Sequence, residues 1–192
     1  MDKRVLAFIG NLLLFVAAAA FLWCGTFLLR AHLKQMSAAA ALKRERATPA
    51  TDRPVVNNVQ PGDPLGRIDI PRIGVSSVIL EGANKDILAL SVGHVPGTAQ
   101  PGSDGNVALA AHRDTFFRAL ERIRIGDDVR ISWVGGDRDY QVDSSRVVAP
   151  TAVDVLRETG APTLTLITCY PFHYAGPAPE RFIVQAHLIR RP

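Results

Sequence analysis

Between Arg67 and Ile189 the chain is a succession of short apolar runs broken by glycine and proline, and this rhythm restricts the fold more than any other feature. The runs cover residues 67–70, 75–80, 106–111, 128–133, 139–148, 163–168 and 182–189, with turn signals at 71–74, 96–105, 135–136 and 171–179. Segments this short, punctuated this regularly, read as strands of an all-β barrel or sandwich. The pair Gly135-Gly136 between two runs predicts a hairpin. Helical spacing is confined to 84–90, 116–123 and 152–158, each about two turns. No glycine-rich phosphate loop follows a strand, which argues against a nucleotide-binding α/β fold.

The first 64 residues have a different character. Residues 5–29 carry no charged side chain. As a helix this stretch would span roughly 37 Å, enough to cross a bilayer core with some tilt. A cleaved leader ending in the alanine run 17–20 would leave the apolar tail Phe21-Leu22-Trp23-Cys24 behind, so an uncleaved anchor is the better reading. Residues 31–49 are rich in Ala, Lys, Arg and Glu and read as a stalk, and Pro49, Pro54, Pro61 and Pro64 mark an extended linker. The expected organisation is 1–30 N-terminal stub and transmembrane anchor, 31–64 stalk and linker, and 65–192 folded domain. Lys3 and Arg4 before the span, against Arg30, Lys34, Lys43, Arg44 and Arg46 after it, favour the C-terminal side inside by charge count alone.

Charge and cysteine content exclude several function classes. Residues 1–60 carry a balance of +5 and residues 61–192 a balance of −1, so the basic excess lies outside the domain and no nucleic-acid footprint is expected. Two cysteines in 192 residues exclude a disulfide-stapled scaffold and a four-cysteine zinc module.

Chemistry concentrates at two strand ends. His112 closes the run 106–111 and opens a polar loop, and Cys169 closes the run 163–168, with Arg181 opening the last strand. Taken singly, each has an ordinary explanation. A lone Cys after an apolar strand is usually a small buried hydrophobe, a lone His is usually a satisfied strand-end residue, and a lone Arg is usually solvated. Together they form a reactive set. A thiolate attacks, and a neighbouring cation favours it. Histidine can protonate an amine leaving group, and a permanently charged guanidinium can stabilise an oxyanion.

The motif Thr165-Leu166-Ile167-Thr168-Cys169, with Arg181 twelve residues on and His112 upstream, resembles the signature of sortases. These are membrane-anchored cysteine transpeptidases of the bacterial surface. The resemblance covers about residues 65–190 and includes Gly66-Arg-Ile-Asp-Ile-Pro-Arg-Ile-Gly74 and Gly93-His-Val-Pro-Gly-Thr98. Ala111-His112-Arg113-Asp114-Thr115-Phe116-Phe117 and Tyr170-Pro-Phe-His-Tyr174 look most like the class D branch. Ala111 stands where many relatives have glycine before the histidine.

The resemblance implies an eight-stranded sortase-type barrel with short helices behind an N-terminal transmembrane helix, the stub before that helix cytoplasmic and the domain lying outside the cytoplasm. It implies that Cys169 attacks the threonine carbonyl of a Leu-Pro-x-Thr-like sorting signal near the C-terminus of a surface protein. His112 would act as general acid and then base, and Arg181 would hold substrate or oxyanion. The acceptor would be an amine of a cell-wall precursor or protein, and no metal or organic cofactor is implied. Two rival readings remain at this point: a hydrolytic cysteine protease on the same fold, and a membrane-tethered β-barrel binding module without catalysis.

Secondary candidates carry less weight. Thr168 could line the groove, although a β-branched strand role is equally ordinary. His94 could reach the site as a substrate-binding residue, with loop structuring the simpler role. Cys169 and His173 do not make a four-ligand zinc site. His187 reads as packing, Asp114 as a turn former, and Asp127, Asp128, Asp137 and Asp139 as a solvated rim.

Overall fold

The computed structural model describes residues 59–189 continuously and, before them, scattered helical positions from Asn11 to Met36. Leu13, Leu14, Phe15, Val16, Phe21, Leu22 and Trp23 among those helical positions are exposed. Among the described residues no helix is long and apolar enough to cross a membrane. Much of the expected span 5–29, the stalk and most of the linker lie outside the described residues.

Eight strands follow: β1 (Pro64–Ile70), β2 (Val75–Glu81), β3 (Val92–His94), β4 (Asn106–Ala110), β5 (Asp128–Trp133), β6 (Gly136–Val148), β7 (Thr163–Tyr170) and β8 (Glu180–Ile189). They close into a barrel in the order β1-β2-β3-β4-β7-β8-β6-β5. Closure leaves no unpaired edge along the sheet. Two pairs are parallel, β2 with β3 and β4 with β7, and the others are antiparallel. Parallel neighbours need a crossover. The helix α1 (Lys85–Leu88), N-capped by the Asn84 side chain on the Ile87 N–H at 3.0 Å, lies in the first, and the β5–β6 hairpin in the second.

The core follows from period-two alternation. Val107, Leu109 and Ala111 point inward from the β4 segment, and Leu164 and Leu166 from β7. Val184 and Ala186 from β8 join them around the fully buried Tyr140 and Phe117. Burial of this apolar surface stabilises by about 1.5–3 kcal/mol for each large side chain. Close strand packing also dictates glycine at Gly93, where a Cβ would stand 2.3 Å from the Gly82 carbonyl oxygen.

The strand pattern read from sequence misses one element and misplaces others. β3 is only three residues and ends in histidine before Val95-Pro96, so it lacks a visible apolar run. The β5–β6 hairpin turns at Val134-Gly135, one residue earlier than expected, and β6 starts at Gly136. The helical segments near 116–123 and 152–158 are single 3-10 turns, Arg118–Arg122 and Val153–Leu156, each burying one residue, Leu120 and Val155.

Candidate active site

Three adjacent strands bring His112, Cys169 and Arg181 together. The β4/β7 ladder pairs Ala108 with Thr165 and Ala110 with Ile167. The Ala111 N–H continues it past the strand end, donating to the Ile167 carbonyl at 3.2 Å. One further step of that register, beyond the end of β4, would bring His112 level with Cys169. On the other side, Cys169 and Arg181 are direct partners in the β7/β8 ladder. Partners in such ladders have Cα atoms about 4.5–5.5 Å apart.

All three lie on the outer face of the barrel. Ala111, Leu166 and Val184 belong to the core, so the alternation turns His112, Cys169 and Arg181 outward. Each is partly buried, as a group held rigidly yet reachable by a ligand must be. Cys169 is a free thiol. Arg181 Nη1 donates to the carbonyls of Glu180 at 2.9 Å and Ala178 at 3.3 Å, holding the guanidinium at the base of the β7–β8 loop.

Beneath this row the barrel end is plugged by aromatics. Tyr170, Phe172 and Phe182 pack with ring centroids 5.2–6.3 Å apart, two of the three pairs edge-on. That geometry suits aromatic quadrupoles and stiffens the strand ends that carry the thiol and the guanidinium.

Thr168 belongs to the inner face. It is 2% exposed, and its hydroxyl donates to the Ala111 carbonyl at 2.8 Å. It therefore does not line an open groove but ties β7 to the peptide that precedes His112. His94 is likewise buried at 2% exposure. Its Nδ1 meets Glu81 Oε2 at 2.7 Å, and its Nε2 lies 3.0 Å from the Ala99 carbonyl and 3.1 Å from Thr98 Oγ1. Both ring nitrogens are engaged, so His94 structures the 95–99 loop and offers no atom for substrate binding.

Other assignments change with the tertiary contacts. His187 is exposed and faces Asp143 at 2.5 Å, not packed as expected, because odd positions of β8 turn outward. Asp127 is not part of a solvated rim: it is buried, pairs with Arg72, and accepts the Arg124 N–H at 2.8 Å. The Arg72 guanidinium hydrogen-bonded to it holds its carboxyl below the usual range. His173 is exposed and bonds the Glu121 carboxylate at 2.9 and 3.1 Å. Among the described residues no three His, Cys, Asp or Glu side chains converge as a metal site.

Two residues that sequence reasoning did not single out also shape the site. Asn106 Nδ2 donates to the carbonyls of Val155 at 2.9 Å and Arg157 at 3.1 Å, while its Oδ1 accepts from Thr165 Oγ1 at 2.8 Å. This buried node ties the β6–β7 connection to β4 and β7, beside the fully buried Ala108 and Thr165. Ala110 and Ile167 stay partly open. The second residue is Arg113, which binds the β7–β8 loop. The cues the sequence carries are its place between His112 and a turn-forming Asp and its presence in the class D-like run 111–117.

Comparison with known proteins places the fold. The chain is 33% identical over 124 residues to Sortase D of Bacillus subtilis, a match covering 64% of this chain and 63% of that relative. Its fold is similar to that of a Clostridium perfringens Sortase D5 transpeptidase, with a TM-score of 0.74, 29% identity, and coverage of 82% of this chain and 99% of that one. A Clostridium perfringens sortase C solved with the C-terminal cell wall sorting motif is similar at a TM-score of 0.64 and 27% identity, over 82% of this chain and 89% of that one. The model of the sortase domain family matches residues 68–189, a stretch that takes in part or all of every strand of the barrel. With the eight-stranded barrel in agreement with that match, the chain belongs to the sortase family, whose members are cysteine transpeptidases.

Proposed function

We propose that this protein is a cysteine transpeptidase that cleaves a Leu-Pro-x-Thr-like sorting signal through a thioester on Cys169 and passes the acyl group to an amine at the cell surface. The observation that carries the reading is the row of His112, Cys169 and Arg181 across the ends of β4, β7 and β8. The Cys169 thiolate attacks the threonine carbonyl and forms a C–S bond. The oxyanion of the tetrahedral adduct is met by the Arg181 guanidinium. Imidazolium His112 gives its proton to the departing amine as the C–N bond breaks. Neutral His112 then takes a proton from the incoming amine, which attacks the thioester and releases the thiolate.

The similar sortase C with a C-terminal sorting motif supports this substrate class. The uncharged stretch 5–29 supports attachment to the membrane by a single N-terminal helix, and membership of a family of surface enzymes, against the flanking charge count, supports an extracytoplasmic barrel. The substrates would then be surface proteins carrying the signal, and the acceptor a cell-wall precursor or protein amine.

The test uses the full-length protein in detergent micelles with fluorogenic Leu-Pro-x-Thr-Ala and Leu-Pro-x-Thr-Gly peptides, followed by intact mass spectrometry. The expected result is a mass gain equal to the acyl fragment, absent in Cys169→Ala, and a ligated product when triglycine is added. No adduct with any peptide, together with a thiol inert to small alkylating agents, would refute the reading. Peptide cleavage without ligation would assign the hydrolytic outcome instead.

A further inference from the structure

The loop joining β7 to β8 runs between Cys169's neighbour Tyr170 and Glu180, which precedes Arg181. It has little apolar support. Phe172 is buried, whereas His173, Tyr174, Ala175, Gly176 and Pro177 are all exposed. A segment of this kind should open easily unless polar contacts hold it. Arg113 supplies them. Its Nη1 donates to the Pro171 carbonyl at 2.9 Å, and its Nη2 donates to those of Tyr174 at 2.7 Å and Gly176 at 3.0 Å. The guanidinium also lies 5.7 Å from the centroid of the Tyr174 ring. Arg181 takes the carbonyls of Ala178 and Glu180 from the same loop. Two arginines, one next to His112 and one paired with Cys169, thus gather the backbone of a single loop.

We propose that Arg113 is a positioning residue that holds the Tyr170–Glu180 loop and, through it, keeps the Arg181 guanidinium beside the Cys169 thiol. Its importance for turnover rests on the transpeptidase reading above. The planar guanidinium fork suits this role. It presents five donors in fixed directions, and charge-assisted bonds to carbonyls are stronger than neutral ones. A lysine ammonium at the same position is a point charge that cannot span three carbonyls spread over six residues. The exposed His173–Glu121 pair also reaches this loop, but a surface pair of that type holds weakly.

The test compares full-length wild type with Arg113→Met, Arg113→Lys and Arg181→Met by two readouts that need no sorting peptide. The first is chymotryptic cleavage after Tyr174 under native conditions. Arg113→Met and Arg113→Lys are expected to raise its rate about tenfold while the melting temperature stays within a few degrees. The second is the ratio of Cys169 alkylation rates by anionic iodoacetate and neutral iodoacetamide. Arg181→Met lowers this ratio by removing the local cation, and Arg113→Met is expected to lower it about threefold toward the same value. Unchanged cleavage, or increased cleavage with an unchanged ratio, would overturn the proposal. So would a general loss of cooperative melting in both Arg113 variants, which marks a fold defect. A protein that processes no sorting peptide would sink the transpeptidase reading and leave both of these results interpretable.

Discussion

Replacing Thr168 by valine separates what holds the fold from what aims the histidine. The Thr168 hydroxyl donates to the Ala111 carbonyl at 2.8 Å from a side chain 2% exposed, and the next residue is His112. Valine has nearly the same shape, so the substitution opens no cavity and removes only the donor. A neutral hydrogen bond contributes about 1 kcal/mol net, and a buried acceptor left without a donor costs about 1–3 kcal/mol. The expected loss is therefore about 1–2 kcal/mol, read as a fall in melting temperature of roughly 3–8 °C. Turnover should fall further than stability suggests, by about tenfold or more, because a displaced acid-base group is costly to a reaction that depends on alignment. Thr168→Ser is the control. It keeps the donor but removes a buried methyl, at about 1 kcal/mol. The two variants should thus lose comparable stability in urea titrations, while only valine lowers kcat for peptide cleavage. Equal kcat in both variants would refute the reasoning, since the hydroxyl would then have no part in holding His112.

Three further outcomes follow from the same contacts. Cys169→Ala should abolish acyl-adduct formation while costing under about 1 kcal/mol in urea unfolding, because the thiol sits on the outer face away from the core cluster; a collapsed melt would make Cys169 a core residue. Gly93→Ala should destabilise by about 3 kcal/mol, measured the same way, because its Cβ would meet the Gly82 carbonyl oxygen at 2.3 Å and the Leu88 side chain at 2.9 Å. Asp127 carries a pH signature. Its folded-state carboxyl is held below the ordinary value of about 3.9, so its contribution is present above that pH and is lost as pH falls through the folded value. Urea midpoints should drop from pH 5 to pH 2.5 in the wild type, and Asp127→Asn should be less stable at pH 5 and lose less over that interval. An identical acid slope in the variant would show that other carboxylates set it.

Much of this protein can be read from local pattern. Seven of the eight strands are legible because alternation and Gly/Pro punctuation are properties of neighbouring residues. The three candidate catalytic residues are legible as well, since each is a reactive side chain at the boundary between an apolar run and a polar loop. β3 was hidden because three residues, one of them histidine, are too few to show a period. The parallel pairing of β4 with β7 could not be read locally either. It joins residues more than fifty positions apart, and it is this pairing that brings the chain leading into His112 alongside the end of β7 that carries Cys169.

The side chains that support the site were decided entirely by the tertiary structure. Thr168 points inward and Cys169 outward, so adjacent residues do different work: one ties down the peptide before His112 and the other presents a thiol. His94 became a saturated buried group because Glu81 and Ala99 arrive from elsewhere in the chain. Asp127 left the solvated rim because Arg72 reaches it across the barrel end. Sequence alone determined which residues could do chemistry and how often the chain must turn. Which of them meet, and which carbonyls Arg113 and Arg181 can reach, depended on barrel closure, because hydrogen bonds and charge pairs act over a few ångströms of space regardless of separation along the chain.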